Sequence, residues 1–213
     1  SFRGGFFANF ANEHTQSNNY DDKLKARGMT SPLPTKALSD IKPSFGGPIA
    51  KDKLWFFTAY RDWRVANYTN QSTRAPNLNP TGFTYVPDLT VRPFQDQVTK
   101  DAVGRGTWQM TPKQKLAVMF DWNDKMEYRT IAGNVAEEAN YIQNFHSNIT
   151  QVTYSAPLTN RLLLEGGMSL TDVKHTIIPR PGAIGPSALE TTTGQRLRAV
   201  TFGSPVSPQV YRD

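Results

Sequence analysis

Side chains able to do chemistry are sparse and scattered along the chain. His14, His146 and His175 stand too far apart for a local metal motif such as the histidine pair of H-E-x-x-H, and they read as loop or strand-end histidines. The adjacent acids Glu137 and Glu138 would need a third oxygen ligand to hold a cation, and paired acids in a loop are ordinarily just solvated. Cysteine is absent, which removes disulfides, thiolate zinc sites and thiol nucleophiles. No glycine-rich phosphate loop or serine elbow is present. The expectation is a protein with no enzymatic activity, no cofactor and no bound metal. Two polar sets remain. Asp121, Asn123, Lys125, Glu127 and Arg129 recur at period two, so they share one face of a strand; they read as a solute-contacting lumenal ladder or as the ordinary wet wall of a barrel. Tyr20, Phe83, Tyr85, Tyr141 and Phe145 lie in polar stretches, where they could stack on a sugar or siderophore or pack the loops together.

The ladder belongs to the clearest strand of the chain, Lys115 to Arg129. There Leu116, Val118, Phe120 and Trp122 alternate with Ala117, Met119, Asp121 and Asn123, giving one greasy face and one wet one. The same alternation predicts strands over Ser1–Asn12, on both sides of the tip Ala50–Lys53, over Gln95–Met110, over Ser147–Ala156 and over Arg161–Val173. From His175 onward proline and glycine dissolve the pattern. About seven strands result.

Composition narrows the class. The 213 residues carry a net charge of +6 and are 38% hydrophobic, with a mean hydropathy of −0.53. No stretch approaches the ~18 apolar residues of a membrane-spanning helix, a test that strands of alternating polarity escape. The basic residues are dispersed among the acids instead of forming a stripe, so no nucleic-acid partner is expected. The chain opens at Ser1 without an initiator Met or an apolar leader, which reads as processing or truncation. Three Asn-x-Ser/Thr triplets at Asn67, Asn70 and Asn148 fit the glycosylation sequon but are moot in a bacterium.

The connections alternate in length. Tips at Ala50–Lys53, Thr111–Gln114 and Pro157–Asn160 are short, whereas Glu13–Asp40, Thr69–Phe94 and Thr130–His146 span about 28, 26 and 17 residues, unusual lengths for loops inside a compact domain. Short turns at one end and long loops at the other are the pattern of outer-membrane barrels.

Within that frame, Gly46-Gly47-Pro48-Ile49, the turn Lys51-Asp52-Lys53 and the run Leu54-Trp55-Phe56-Phe57 resemble the early barrel hairpin of TonB-dependent outer-membrane receptors, the Oar-like branch in particular. Trp55 stands where that family more often has Phe, and Ile41-Lys42-Pro43-Ser44-Phe45 resembles its approach to the hairpin. The resemblance runs loosely from Phe2 to about Val173. It implies an all-β fold, a section of an antiparallel up-and-down transmembrane β-barrel with long extracellular loops and short periplasmic turns. The whole barrel would have roughly twenty-two strands around a plug.

Residues 1–213 would then be part of the barrel domain of a Gram-negative outer-membrane protein, with the plug and the other strands outside this chain. The implied function is active import of a scarce ligand, such as a siderophore, oligosaccharide or peptide. The implied partners are outer-membrane lipid, that unknown small ligand and the TonB complex, reached through a plug outside this chain. Trp55, Phe57, Leu116, Val118, Phe120, Trp122, Leu162 and Leu164 are expected to face lipid. A passive porin and a soluble, secreted β-rich adhesive domain stay open as alternatives.

Overall fold

The computed structural model describes residues 1–17, 19–28, 34–69, 75–129, 134–199 and the backbone of 209–212. Each period-two segment is a strand: β1 (Arg3–Asn12), β2 (Thr35–Ala50), β3 (Leu54–Tyr68), β4 (Phe94–Thr111), β5 (Gln114–Glu127), β6 (Tyr141–Thr159) and β7 (Leu162–Pro179). These seven form one antiparallel sheet in sequence order. A short helix, α1 (Asp22–Ala26), lies between β1 and β2, and a hairpin of β8 (Ala188–Glu190) and β9 (Gln195–Leu197) follows β7. The last strand, β10 (Gln209–Arg212), pairs with β7.

Turn chemistry closes the short end. At the β2–β3 tip Asp52 takes φ 57°, a left-handed conformation its short polar side chain tolerates, and the Lys53 amide donates to the Ala50 carbonyl at 3.1 Å. Gly46 of β2 is required by close approach: a Cβ there would stand 2.7 Å from the Phe56 carbonyl oxygen and 3.2 Å from the Phe57 Cα. The third tip differs from the sequence expectation. Pro157 and Leu158 lie inside β6, and the chain turns at Asn160–Arg161. Proline is accommodated because the ladder shifts register between Pro157 and Thr159, the kind of irregularity where a missing N–H costs little.

Cross-strand partners face the same side of a sheet, so the register sorts the side chains. One row crosses all seven strands: Gly4, Phe45, Thr58, Gly104, Phe120, Thr150 and Leu170. Its face also carries Phe6, Phe10, Tyr60, Trp108, Leu116, Val118, Trp122, Val152, Leu162, Leu164 and Met168. Large apolar side chains here are open to the surroundings, Phe6 at 73% and Leu170 at 59%. The opposite face carries Asp40, Lys42, Arg61, Asp101, Arg105, Asp121, Asn123, Lys125 and Glu127.

The apolar face has a sloping upper limit. Moving toward the long connections, its continuous apolar run gives out at Phe10 on β1, Ile41 on β2, Tyr60 on β3, Ala102 on β4, Trp122 on β5, Val152 on β6 and Leu170 on β7, with only scattered apolar residues (Ala37, Ala66, Val98, Met126, Ile142 and Ile178) beyond it among the polar ones. The next residues on that face are Asn12, Ser39, Asp62, Lys100, Asp124, Thr150 then Asn148, and Asp172. Phe10 lies six residues beyond Gly4 of the reference row, whereas Leu170 lies in it.

Trp55 and Phe57 do not share this face. They pair with Thr107 and Arg105, on the side of the charged residues, while Leu54 and Phe56 pair with Trp108 and Gly106 on the apolar side. The expected eight-residue set therefore divides in two. Three consecutive aromatics, Trp55-Phe56-Phe57, leave the parity open, and the ladder to β4 decides it.

Burial among the described residues concentrates in the long connections, not under the sheet. Ala75, Ala136, Ala139, Leu197 and Ala199 are buried there, together with Glu138, Asn140 and Gln195. The Ala136 amide donates to the Arg196 carbonyl and the Arg196 amide to the Asn134 carbonyl, so the segment before β6 and the segment after β7 pack side by side. The expected loops are also shorter than the polarity of the sequence implied. β2 begins at Thr35, inside the expected loop Glu13–Asp40, and β6 begins at Tyr141, inside Thr130–His146.

Candidate functional site

On the polar face, near the long connections, β3, β4, β5 and β6 line an open trough of about 430 Å³. The register builds it. Val65, Gln97, Glu127 and Gln143 stand in one row, with Asn67 and Gln95 beyond it toward the loops and Trp63 one step nearer the short turns. Asp96, Arg129 and Tyr141 complete the wall.

Its charges are committed to one another. The Glu127 carboxylate accepts from the Lys125 ammonium at 2.6 Å, and Gln143 donates to Glu127 at 3.4 Å. Arg129 donates to both carboxylate oxygens of Asp96 at 3.0 and 2.9 Å and to Glu137 at 3.2 Å, and its guanidinium lies 4.3 Å from the Phe94 ring centre. Behind Gln143, the His175 ring stacks on Phe145 at 4.2 Å and its Nε2 lies 3.0 Å from the Gln143 side-chain oxygen. Asn67, Gln95 and Gln97, by contrast, line the trough half-buried with side-chain amides that make no hydrogen bond among the described residues.

Arg129 and Glu137 also anchor the loops over this end. Glu137 accepts from Arg180 at 2.7 Å, and Arg180 donates to the Tyr128 carbonyl. Burial pushes the Arg180 guanidinium below its ordinary value, with Glu137 pulling the other way. The neighbouring carboxylate turns elsewhere, Glu138 accepting from the Asn77 amide at 2.7 Å. The two acids thus serve separate partners, each pinning a different segment. Tyr85 donates to the Ala75 carbonyl at 2.7 Å; burial, helped by Glu138 and Glu137, pushes its phenol up to about 12. Arg198 donates to the Thr81 carbonyl at 3.0 Å and covers the Phe83 ring at 4.5 Å.

The residues singled out from the sequence distribute as follows. Asp121, Asn123, Lys125 and Glu127 share the polar face of β5, and Asn123 donates to Asp101 at 3.2 Å. Arg129 lies past the end of that strand and reaches across to β4 and the loops. Among the aromatics, Tyr141 and Phe145 are strand residues of β6, not loop residues; Tyr141 lines the trough, and Phe145 stands just behind it. Tyr85 is held within the loops by its bond to Ala75, whereas Phe83 is 69% exposed beside Arg198. Tyr20 lies beside α1, 5.4 Å from the Lys25 ammonium. His146 lies on the apolar side's polar margin, 3.5 Å from Asp124, while His14 is exposed beside Glu13, so the three histidines do not converge.

Trp63, Asn67, Gln95, Gln97 and Gln143 escaped the sequence reading. Gln95 and Gln97 sit at period two, as do Trp63, Val65 and Asn67, but only the pairing of β3 with β4 brings these two short series together. Against known protein families, curated proteins and solved structures, the chain finds no match.

Proposed function

We propose that the sheet is part of the wall of an outer-membrane β-barrel, and that the barrel is a TonB-dependent receptor importing a scarce ligand. The observation carrying this reading is the sloping limit of the apolar face. An exposed apolar surface of this extent needs a cover, and lipid supplies one without a second sheet.

The slope also has the size a tilted barrel requires. From β1 to β7 the limit drops by six residues, about 20 Å along the strands, across six strand spacings of about 4.8 Å. That is a tilt of roughly 35°, within the ~35–45° of outer-membrane barrels. A flat bilayer boundary cutting across tilted strands produces such a staircase, whereas a soluble sheet covered by a second layer has no reason to. The hairpin Gly46–Phe57 resembles that of TonB-dependent receptors, and the alternation of short and long connections accords with it. The polar face, with Arg61, Arg105, Asp121 and Lys125, then lines the lumen, and the trough opens near its outer mouth.

Two measurements test the two halves of the reading. The chain lacks cysteine, so single cysteines at Val118 and Met119 report facing without background. A bilayer-dissolved quencher should reach a fluorophore at 118 and spare one at 119; the reverse excludes the barrel wall. Energy coupling is read in cells carrying the intact protein, where a protonophore should stop ligand accumulation and leave surface binding. Accumulation that survives it makes the protein a passive pore.

A further inference from the structure

The chemistry of the trough selects a class of ligand. We infer that it binds a neutral, hydroxyl-rich molecule, a saccharide, with the unengaged amides of Asn67, Gln95 and Gln97 exchanging hydrogen bonds with vicinal hydroxyls and the Trp63 and Tyr141 rings meeting the sugar's C–H faces.

This inference rests on the receptor reading only for the trough's place at a barrel mouth. Its substance comes from the side chains. A carboxamide offers two donors and an acceptor in one plane, which matches a pair of adjacent hydroxyls, each both donor and acceptor, without bringing a net charge. Three such groups occupy neighbouring positions, since Asn67 faces Gln95 across the ladder and Gln97 is the next residue on the same side of β4. A volume of about 430 Å³ falls in the ~300–1,000 Å³ range of small-ligand sites, which pair aromatic walls with a few polar groups.

Charge argues against the other ligands of such receptors. A ferric chelate of catecholate, hydroxamate or carboxylate type is commonly anionic and calls for free cations. The one cation on the trough wall among the described residues, Arg129, is held by Asp96 and Glu137. Lys125, adjacent on the same face, is held by Glu127. A peptide with charged termini meets the same lack of available counter-charges. A saccharide requires none.

The test is a titration of the detergent-purified intact protein, following tryptophan fluorescence, with maltohexaose, xylohexaose, cellohexaose and chitohexaose, and with ferric citrate as the anionic comparison. The expected result is saturable binding of at least one neutral oligosaccharide and none of ferric citrate at the trough. The combined substitutions Asn67→Ala, Gln95→Ala and Gln97→Ala should weaken that binding at least about tenfold. Gln97→Ala alone should weaken it measurably, and Gly104→Ala, away from the trough, should leave it unchanged. No binding by any of the four sugars, or sugar binding indifferent to the amide substitutions, overturns the inference. Binding in detergent needs neither a bilayer nor an energy source. A barrel of correct facing that ignores sugars therefore rejects the ligand alone, and a sugar-binding sheet with the wrong facing rejects the receptor alone.

Discussion

Arg61 grips Asp40 across the ladder between β3 and β2, its Nε and Nη2 donating to the two carboxylate oxygens at 3.0 and 3.1 Å. Lys42 adds a third contact at 2.8 Å, and Asp40 is one of the few buried charges among the described residues, 7% exposed. Replacing Asp40 with Ala leaves two cations facing each other with no acceptor. Both cations are 41% exposed, so water takes up much of the loss, and the expected cost is about 1–2 kcal/mol. Urea unfolding of the reconstituted protein measures it; an unchanged midpoint would mean that the clasp contributes nothing.

Glu137 ties Arg129 to Arg180 across the loops. The side chain of Arg180 is only 13% exposed, so Glu137→Ala strands a largely buried guanidinium at an expected cost of about 2–4 kcal/mol. The effect should be local. Amide hydrogen exchange should speed up around 134–140 and 180–185 while β3 and β4 keep their protection. Uniform acceleration across the sheet would contradict the assignment of Glu137 to the loop cluster.

Tyr85 makes the loops sensitive to alkali. Its folded pKa lies above the ordinary phenol value of 10.0, at about 12, so the folded state holds the proton more firmly. The associated stability is complete below about pH 10 and disappears as pH rises through about 12. Limited proteolysis of 75–91 should accelerate over that window, and Tyr85→Phe should abolish the pH dependence at the expense of one hydrogen bond. Cleavage that rises equally in the Phe variant would place the cause elsewhere.

Gly46 and Gly104 predict opposite responses to the same change. Gly46→Ala drives a methyl against the Phe56 carbonyl and should cost about 1–3 kcal/mol by forcing β2 and β3 apart. Gly104 has nothing within 4 Å of its virtual Cβ, so Gly104→Ala should be neutral or slightly stabilising. Equal effects in unfolding experiments would deny that close approach fixes glycine in the hairpin.

What was legible in the sequence follows from periodicity. Leu116 to Trp122 alternates without interruption, and every strand with such a stretch was found. Tyr141 to His146 was not, because above the apolar band both faces of β6 are mixed: Ile142 is followed on its face by Asn144 and His146, and Tyr141 and Phe145 flank Gln143 on the other. With apolar and polar residues mixed on both sides, the segment lacks the clean alternation that marks a strand. Pro157 marked a turn three residues early, since a register shift lets β6 keep it. The trough was hidden more deeply. Asn67, Gln95, Gln97 and Gln143 are ordinary strand amides until three ladders align them, and no spacing within one segment carries that information.

The central claim is that the apolar face is cut by a flat bilayer boundary across tilted strands, and nitroxide depth measurements at Phe10, Tyr60, Trp122 and Leu170, each replaced singly by a labelled cysteine in the reconstituted intact protein, test it most directly. The account predicts that all four labels lie at one depth to within a few ångströms, although Phe10 and Leu170 stand about 20 Å apart along the strand direction. Depths that instead follow the ladder, with Phe10 far removed from Leu170, or labels with no contact with lipid at all, would contradict it.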